Sequence, residues 1–113
     1  MLKLKTPKPF CRVDVSRWDP DAEAYIKTFS KLERMIFHDL GRIYSNMENP
    51  PKERATAIAR IAIMALVDKN GNRLLTEEDL PAVLEAERGT ALRIMEINLG
   101  LEPPPSEESF KKK

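Results

Sequence analysis

FCRVDVSRWDPDAEAYIKTFSKLER, residues 10–34, is the stretch that decides the fold of this chain. Apolar and polar residues alternate over residues 10–15, and a period of two is typical of a half-buried strand. The sequence WDPD at residues 18–21 has turn chemistry, because proline presets φ and aspartate hydrogen-bonds its own backbone. Residues 24–29, AYIKTF, are rich in β-branched and aromatic side chains, which favour a second strand.

A long helix is the competing interpretation of the same stretch. Apolar residues recur at helical spacing at Ala22, Tyr25, Phe29, Leu32, Ile36, Leu40 and Ile43. Ser30 and Glu33, however, have the spacing of a capping box, in which two side chains satisfy the free backbone groups of a helix start. Such a box would have no role inside a helix. We therefore predict a β-hairpin, about residues 10–16 and 23–29, followed by a helix over residues 31–46.

Two prolines, at residues 50 and 51, separate this helix from a second one. Proline ends a helix readily and is also tolerated at the first helical position, so we predict the second helix over residues 52–67. Its second half is apolar almost all round and rich in alanine, which indicates a central helix with close neighbours.

The C-terminal half of the chain contains two further helical regions. One begins at Thr76, and we expect Arg88-Gly89 to break it before a fourth helix over residues 90–99, which Gly100 closes. The expected fold class is α+β and predominantly α-helical, with an N-terminal β-hairpin followed by about four helices. An all-α fold is the alternative.

Composition indicates one ordinary globular domain. The chain has 113 residues, enough for one modest core, and its 42% hydrophobic and 33% charged residues are typical of a folded protein. We expect a flexible basic arm over residues 1–9, a single globular domain over residues 10–101 and a disordered Pro-rich tail over residues 102–113. No apolar signal segment or bilayer-length run is evident, and a single cysteine suits a reducing cytosol.

Residues 67–80, VDKNGNRLLTEEDL, begin like a calcium-binding EF-hand loop. With Asp68 at position 1, however, position 6 is Arg73 where the loop needs glycine, and position 12 is Asp79, shorter than the usual glutamate. Pro81 then follows where the exiting helix should run freely. We interpret the stretch as a tight turn at residues 68–72, after which Leu74 and Leu75 return to the core and Thr76 caps the next helix.

Residues suited to catalysis or metal binding are sparse. His38 is the only histidine and Cys11 the only cysteine, and a zinc site needs about four ligands. A Cys11–His38 nucleophilic pair has no further support in the sequence. We predict no catalytic residues, no metal site and no cofactor, and thus a protein that is not an enzyme.

Aromatic residues are the candidates for partner binding. We propose Phe10 and Trp18, together with Phe110 in the tail, as interface anchors, while packing in the core is the alternative for Phe10 and Trp18. A second hypothesis is a small nucleic-acid-associated or regulatory adaptor, because basic residues flank these aromatics at Lys3, Lys5, Lys8, Arg12 and Arg17. The net charge of only +1 argues against a dedicated nucleic-acid binder.

The order of these signals resembles the tail assembly chaperones of long-tailed bacteriophages. The resemblance begins with the Trp-containing turn and capped helix of residues 10–34. It continues with an apolar helix ending in LVDKNGNRLLTEEDLPAVLE and a short helix ending in INLGL. Asp68, Gly71 and Leu74, followed by an acidic run, form its most recognisable part. It covers about residues 10–101, and the breaks at Pro81 and at Arg88-Gly89 depart from the expected pattern.

The resemblance implies a non-catalytic function. Such chaperones bind the tape measure protein, whose long helices are apolar, and recruit tail tube subunits to it in the host cytoplasm; they are absent from the finished virion. Self-association into a homo-oligomer and no membrane contact are expected. The family often makes a longer product by programmed frameshifting, and Lys111, Lys112 and Lys113 are compatible with an adenine-rich slippery sequence at that point.

Overall fold

The computed structural model describes residues 9–101, 103–105 and Phe110. Within those residues the order of elements is β1 (Cys11–Val13), β2 (Ala24–Ile26), α1 (Lys31–Ser45), α2 (Pro51–Ala65), β3 (Leu66–Val67), α3 (Leu80–Glu85) and α4 (Arg88–Leu99). The helix-dominated α+β class is confirmed, and the all-α alternative is wrong. The predicted basic arm and Pro-rich tail lie outside the described residues, except for Pro9, residues 103–105 and Phe110.

The predicted β-hairpin is present, and its strands are shorter than expected. β1 and β2 pair antiparallel, with Cys11 opposite Ile26 and Val13 opposite Ala24. Val13, Ala24 and Ile26 are buried on one face, as the period of two predicts. β1 is short because the chain enters the turn that begins at Val15. β2 is short because the chain enters the cap of α1 a few residues later.

The capping box of α1 forms as predicted. The Ser30 Oγ atom accepts a hydrogen bond from the Glu33 N–H at 3.1 Å, and the Glu33 carboxylate accepts one from the Ser30 N–H at 2.9 Å. Glu33 also pairs with the Lys27 ammonium group. Burial alone would raise the pKa of Glu33, but the bonds from Lys27 and Ser30 lower it overall. The long helix through residues 22–29 is therefore excluded.

The central helix α2 ends two residues earlier than predicted. Leu66 and Val67 leave the helix as β3, which pairs antiparallel with β2 in a three-stranded sheet of order β1-β2-β3. The Lys27 N–H donates to the Ala65 carbonyl at 2.9 Å, so the sheet begins where the helix ends. The free edge of β2 is the reason for this difference, because it offers Leu66 and Val67 a set of backbone partners.

A tight turn follows β3, as predicted. The Asp68 Oδ1 atom accepts from the N–H groups of Asn70 and Asn72 at 2.8 and 2.9 Å. Gly71 has φ of 87°, a left-handed conformation that glycine adopts without strain. Thr76 then caps a single 3-10 turn, Glu77–Asp79, that leads into α3. Pro81 is compatible with this helix because it lies in the first turn, where its missing N–H costs nothing.

The predicted break at Arg88-Gly89 is wrong, because both residues belong to the first turn of α4. The chain breaks instead at residues 86–87, where Glu87 is the N-cap and its carboxylate accepts from the Thr90 N–H at 2.8 Å. A Cβ atom at Gly89 would lie 2.7 Å from the Glu87 Oε2 atom, so glycine allows the carboxylate to fold back over the helix. Gly100, with φ of 78°, closes α4 as predicted.

The core lies between the sheet and helices α1, α2 and α4. Its largest fully buried side chains are Phe37, Ile26, Ile58, Ile61, Ile63, Ile94 and Val67. A second, smaller cluster joins α2 to α3 through Ala59, Ile63 and Val83. Among the described residues, no helix combines the length and the apolar character that crossing a bilayer requires.

Candidate functional site

Trp18 lies at the turn between β1 and β2, where the chain is held by local hydrogen bonds. The Val15 carbonyl accepts from the N–H groups of Trp18 and Asp19 at 2.8 and 2.9 Å. The Asp19 carboxylate in turn accepts from the Asp21 N–H at 3.0 Å. These bonds are the turn chemistry that the WDPD sequence predicts, and they hold the indole ring over the space between the hairpin and α3.

A hydrogen bond over a long sequence separation fixes the indole. Its Nε1–H donates to the backbone carbonyl of Glu87 at 2.6 Å, across 69 residues of sequence. The Glu87 carboxylate caps α4 at Thr90 and lies 3.9 Å from the Arg17 guanidinium. The bonds from Thr90, then the Arg17 charge, lower the pKa of Glu87. The hairpin turn and the α3–α4 junction are thereby joined through two neighbouring residues, Arg17 and Trp18.

Beside Trp18 lies an apolar groove of about 370 Å³, which we call the Trp18 groove. The hairpin turn forms one wall, the segment after β3 a second, and α3 a third. Its lining residues are Val15, Trp18, Asp19, Ala22, Ala24, Leu66, Leu74, Leu75, Asp79, Ala82, Val83 and Ala86. The charged residues among them, Asp19 and Asp79, are both acidic. The groove can therefore accept apolar side chains and favours positive charge at its margin.

The three predicted partner-binding aromatics lie in different surroundings. Trp18 lines the groove and is half-buried against both hydrophobic clusters, so the core and interface interpretations both describe it. Phe10 is half-exposed at the other end of the hairpin, beside a cleft that it shares with Phe29 and Leu99. Phe110 is half-buried, and its ring centroid lies 4.4 Å from the Arg12 guanidinium carbon. Only Trp18 lines the groove.

The two residues considered for a nucleophilic pair lie on different elements, Cys11 in β1 and His38 in α1. Cys11 is half-buried in β1, and burial raises the pKa of its thiol, which lowers its reactivity. His38 is exposed on α1 with its ring 5.5 Å from that of Phe37. No group of three or more His, Cys, Asp or Glu residues within the described ranges has the geometry to hold a metal ion.

The basic surface proposed for nucleic-acid binding can be followed only in part. Lys3, Lys5 and Lys8 lie outside the described residues. Of the two arginines, Arg12 covers the Phe110 ring and Arg17 faces the Glu87 carboxylate. Both guanidinium groups thus have intramolecular partners, so this geometry adds no support to the adaptor hypothesis.

Sequence reasoning missed most of the groove. Leu74 was expected to return to the core with Leu75, but it is 42% exposed and lines the groove instead. Its N–H donates to the Leu66 carbonyl at 3.3 Å, which holds this segment beside β3. Leu75 does pack against the core, as predicted. Ala82 and Val83 carry no individual signal, since small and apolar residues on a short helix are ordinary. The unusual observation is two adjacent leucines after a turn, of which only one can face inward.

Comparisons of the chain with protein-family models, with curated proteins and with solved structures return no match.

Proposed function

We propose that this chain is a non-catalytic tail assembly chaperone of a long-tailed bacteriophage. It binds apolar helical segments of the tape measure protein in the Trp18 groove and recruits tail tube subunits to that protein in the host cytoplasm. The observation that carries the proposal is the groove itself, an apolar cavity with an acidic margin. The resemblance of residues 10–101 to this family supplies the identity of the partner.

The size of the groove suits the side chains of a helix. A volume of about 370 Å³ is at the small end of ligand sites and accommodates a few aliphatic side chains, such as those at positions i, i+3 and i+4 of an amphipathic helix. Burial of one leucine-sized side chain contributes about 1.5–3 kcal/mol, and ordering of the partner offsets part of this gain. A single groove is therefore expected to bind weakly.

Weak binding at each site is compatible with a chaperone for a long partner. Many copies can occupy successive apolar segments of one tape measure protein, and linked contacts then gain strength through effective concentration. Asp19 and Asp79 favour segments in which lysine or arginine flanks the apolar positions. The same charges disfavour acidic segments, which gives the groove a basis for selection.

The test is co-expression with the tape measure protein of the same phage, with the soluble fraction of that protein as the measurement. Ala82 is exposed and lines the groove, so Ala82→Trp should fill the cavity without disturbing the core. We expect the wild-type chain to raise the soluble fraction and Ala82→Trp to lose most of that effect, with an affinity reduced about tenfold or more.

Ser45→Trp is the matched control, because Ser45 is an exposed residue at the end of α1, outside the groove. It should behave as the wild type. Equal activity of the two tryptophan variants would exclude the groove as the binding site, and no solubilisation by the wild-type chain would overturn the proposed function. Recruitment is tested separately by pull-down of tail tube protein, which should require the tape measure protein.

A further inference from the structure

A second apolar recess lies at the open end of the hairpin, where β1 begins and β2 ends. We call it the Phe10 cleft; its volume is about 290 Å³, and its lining residues are Phe10, Lys27, Thr28, Phe29, Arg34, Ile97, Asn98, Leu99 and Gly100. Phe29 and Ile97 are buried at its floor, whereas Phe10 and Leu99 are 50% and 44% exposed. The cleft therefore joins a hydrophobic floor to an uncovered hydrophobic rim.

The charged residues that line the Phe10 cleft are both basic. The Lys27 ammonium group is already paired with the Glu33 carboxylate. The Arg34 guanidinium carbon lies 5.5 Å from the centroid of the Phe29 ring, and no carboxylate of the described residues forms an ion pair with it. Arg34 thus places an uncompensated positive charge at the margin of an apolar surface, where a carboxylate from another molecule would find a partner.

The Phe10 cleft differs from the Trp18 groove in both charge and position. The groove lies at the turn of the hairpin and has two aspartates at its margin, whereas the cleft lies at the other end and has Lys27 and Arg34. Among the described residues, none lines both recesses. Because placing like charges together costs free energy, a segment whose charge suits one recess is disfavoured at the other.

The last turn of α4 determines where a carboxylate fits in the cleft. Carbonyl groups at a helix C-terminus carry partial negative charge, so they repel an anion. The N–H groups of Gly100 and Leu101 donate to carbonyls of this turn at 3.1 and 2.9 Å, so these donors are not available to an incoming anion. The Arg34 side of the cleft is therefore the place for a carboxylate, and the side of Phe10 and Leu99 is the place for an apolar side chain.

We propose that the Phe10 cleft binds a short acidic apolar peptide segment of another protein. One or two apolar side chains of that segment pack against Phe10 and Leu99, and an aspartate or glutamate lies beside Arg34. Charge complementarity favours this occupant over a basic segment of the kind that suits the Trp18 groove. The site does not depend on the function proposed for that groove. With both recesses, one chain can hold two segments of opposite charge at once.

The first test measures the binding of two labelled helical peptides to the full chain by fluorescence anisotropy. Both peptides carry leucine at positions i, i+3, i+4 and i+7, and the flanking positions are glutamate in one and lysine in the other. Ala82→Trp is the background, because it fills the Trp18 groove and leaves the cleft open. We expect the glutamate peptide to bind about fivefold or more tightly than the lysine peptide.

Substitutions on the two sides of the cleft separate the effect of its charge from that of its apolar rim. Arg34→Glu reverses an exposed charge and should raise the Kd of the glutamate peptide about fivefold while lowering that of the lysine peptide. Leu99→Asn removes apolar contact without a change of charge and should weaken the binding of the glutamate peptide about fivefold or more. Lys52→Glu is the matched control, because it changes the net charge equally at an exposed residue of α2 outside both recesses, and it should bind as the background does.

The second test places the glutamate peptide on the full wild-type chain by amide NMR. The peptide should shift the signals of Thr28, Leu99 and Gly100 and leave the indole N–H signal of Trp18 in place. Shifts at the indole instead would assign the peptide to the Trp18 groove and overturn the proposal. Circular dichroism confirms that each variant retains its helices.

Several outcomes contradict an acidic partner in the Phe10 cleft. Equal binding of the two peptides, equal affinity of the Arg34→Glu variant and the background, or no binding of the glutamate peptide at about 1 mM would each overturn the proposal. Leu99 and Gly100 signals that shift with protein concentration alone would assign the cleft to a second copy of the chain. The same signals shifting on Phe110→Ala would assign it to the chain's own tail, and either assignment would overturn the proposal.

Discussion

Trp18→Phe tests how the hairpin is joined to the helical part of the fold. The phenylalanine ring retains most of the apolar contact that Trp18 makes with both hydrophobic clusters, but it cannot donate to the Glu87 carbonyl. The substitution therefore isolates one hydrogen bond of 2.6 Å that closes 69 residues of chain. No other change at this position separates the polar contact from the packing so cleanly.

The magnitude follows from the surroundings of the bond. A net intramolecular hydrogen bond contributes about 0.5–1.5 kcal/mol, and a buried acceptor left unpaired costs about 1–3 kcal/mol. Because this bond is only partly buried, water can reach the carbonyl, and we expect Trp18→Phe to cost about 1–2 kcal/mol. Trp18→Ala also removes the packing and should cost about 2–4 kcal/mol, shifted down by about 1 kcal/mol from the range for a fully buried aromatic residue because Trp18 is only half-buried.

The assay is urea unfolding followed by far-UV circular dichroism, because Trp18 is the only tryptophan and fluorescence disappears in both variants. For a domain of this size, 1 kcal/mol corresponds to about 4–8 °C in Tm, so thermal unfolding gives a second measurement. Tyr25→Phe is the control, because it removes an equally short but exposed bond to Glu23 and should leave the midpoint unchanged. A Trp18→Phe variant as stable as the wild type would refute the reasoning.

Three further predictions concern a helix cap, the carboxylate of a turn and a half-buried thiol. Ser30→Ala removes the cap of α1 and should lower the free energy of unfolding in urea by about 1 kcal/mol. Ser45→Ala, at the exposed end of the same helix, should lower it much less. Equal losses of stability in the two variants would contradict the capping role of Ser30. Hydrogen bonds from the N–H groups of Asn72 and Asn70 lower the pKa of Asp68 in the folded chain below its ordinary value of 3.8. The ionised side chain therefore stabilises the fold above pH 3.8, and this stabilisation is lost as the pH falls through the pKa of Asp68 in the folded chain. The difference in free energy of unfolding between wild type and Asp68→Asn should therefore become smaller as the pH is lowered below about 4. A constant difference over that range would contradict this role of the Asp68 carboxylate. Since burial raises the pKa of the Cys11 thiol, iodoacetamide should modify the native chain at about pH 8 more slowly than the urea-unfolded chain, as followed by mass spectrometry; equal rates would indicate an accessible thiol.

Sequence periodicity locates the apolar residues of α1 but does not show which of them pack against the core. Leu32, Ile36 and Ile43 recur at helical spacing in the sequence, yet all three are exposed. The core of the fold uses the neighbouring face, marked by Phe37 and Tyr44. Both faces carry apolar residues at helical spacing, so the periodicity of one helix alone does not show which face a neighbouring element covers. That choice depends on where α2 lies.

By itself the sequence determined the features whose physical cause is local. The start of α1 follows from a hydrogen-bond pair between Ser30 and Glu33, three residues apart, and the end of α4 from the left-handed conformation of Gly100. Only the tertiary structure decided the features that need distant partners. β3 exists because β2, about forty residues earlier, offers it a free edge, and the Trp18 groove exists because an indole reaches Glu87. Local hydrogen bonds can be inferred from residue spacing, whereas these contacts depend on how the completed core brings separate segments together.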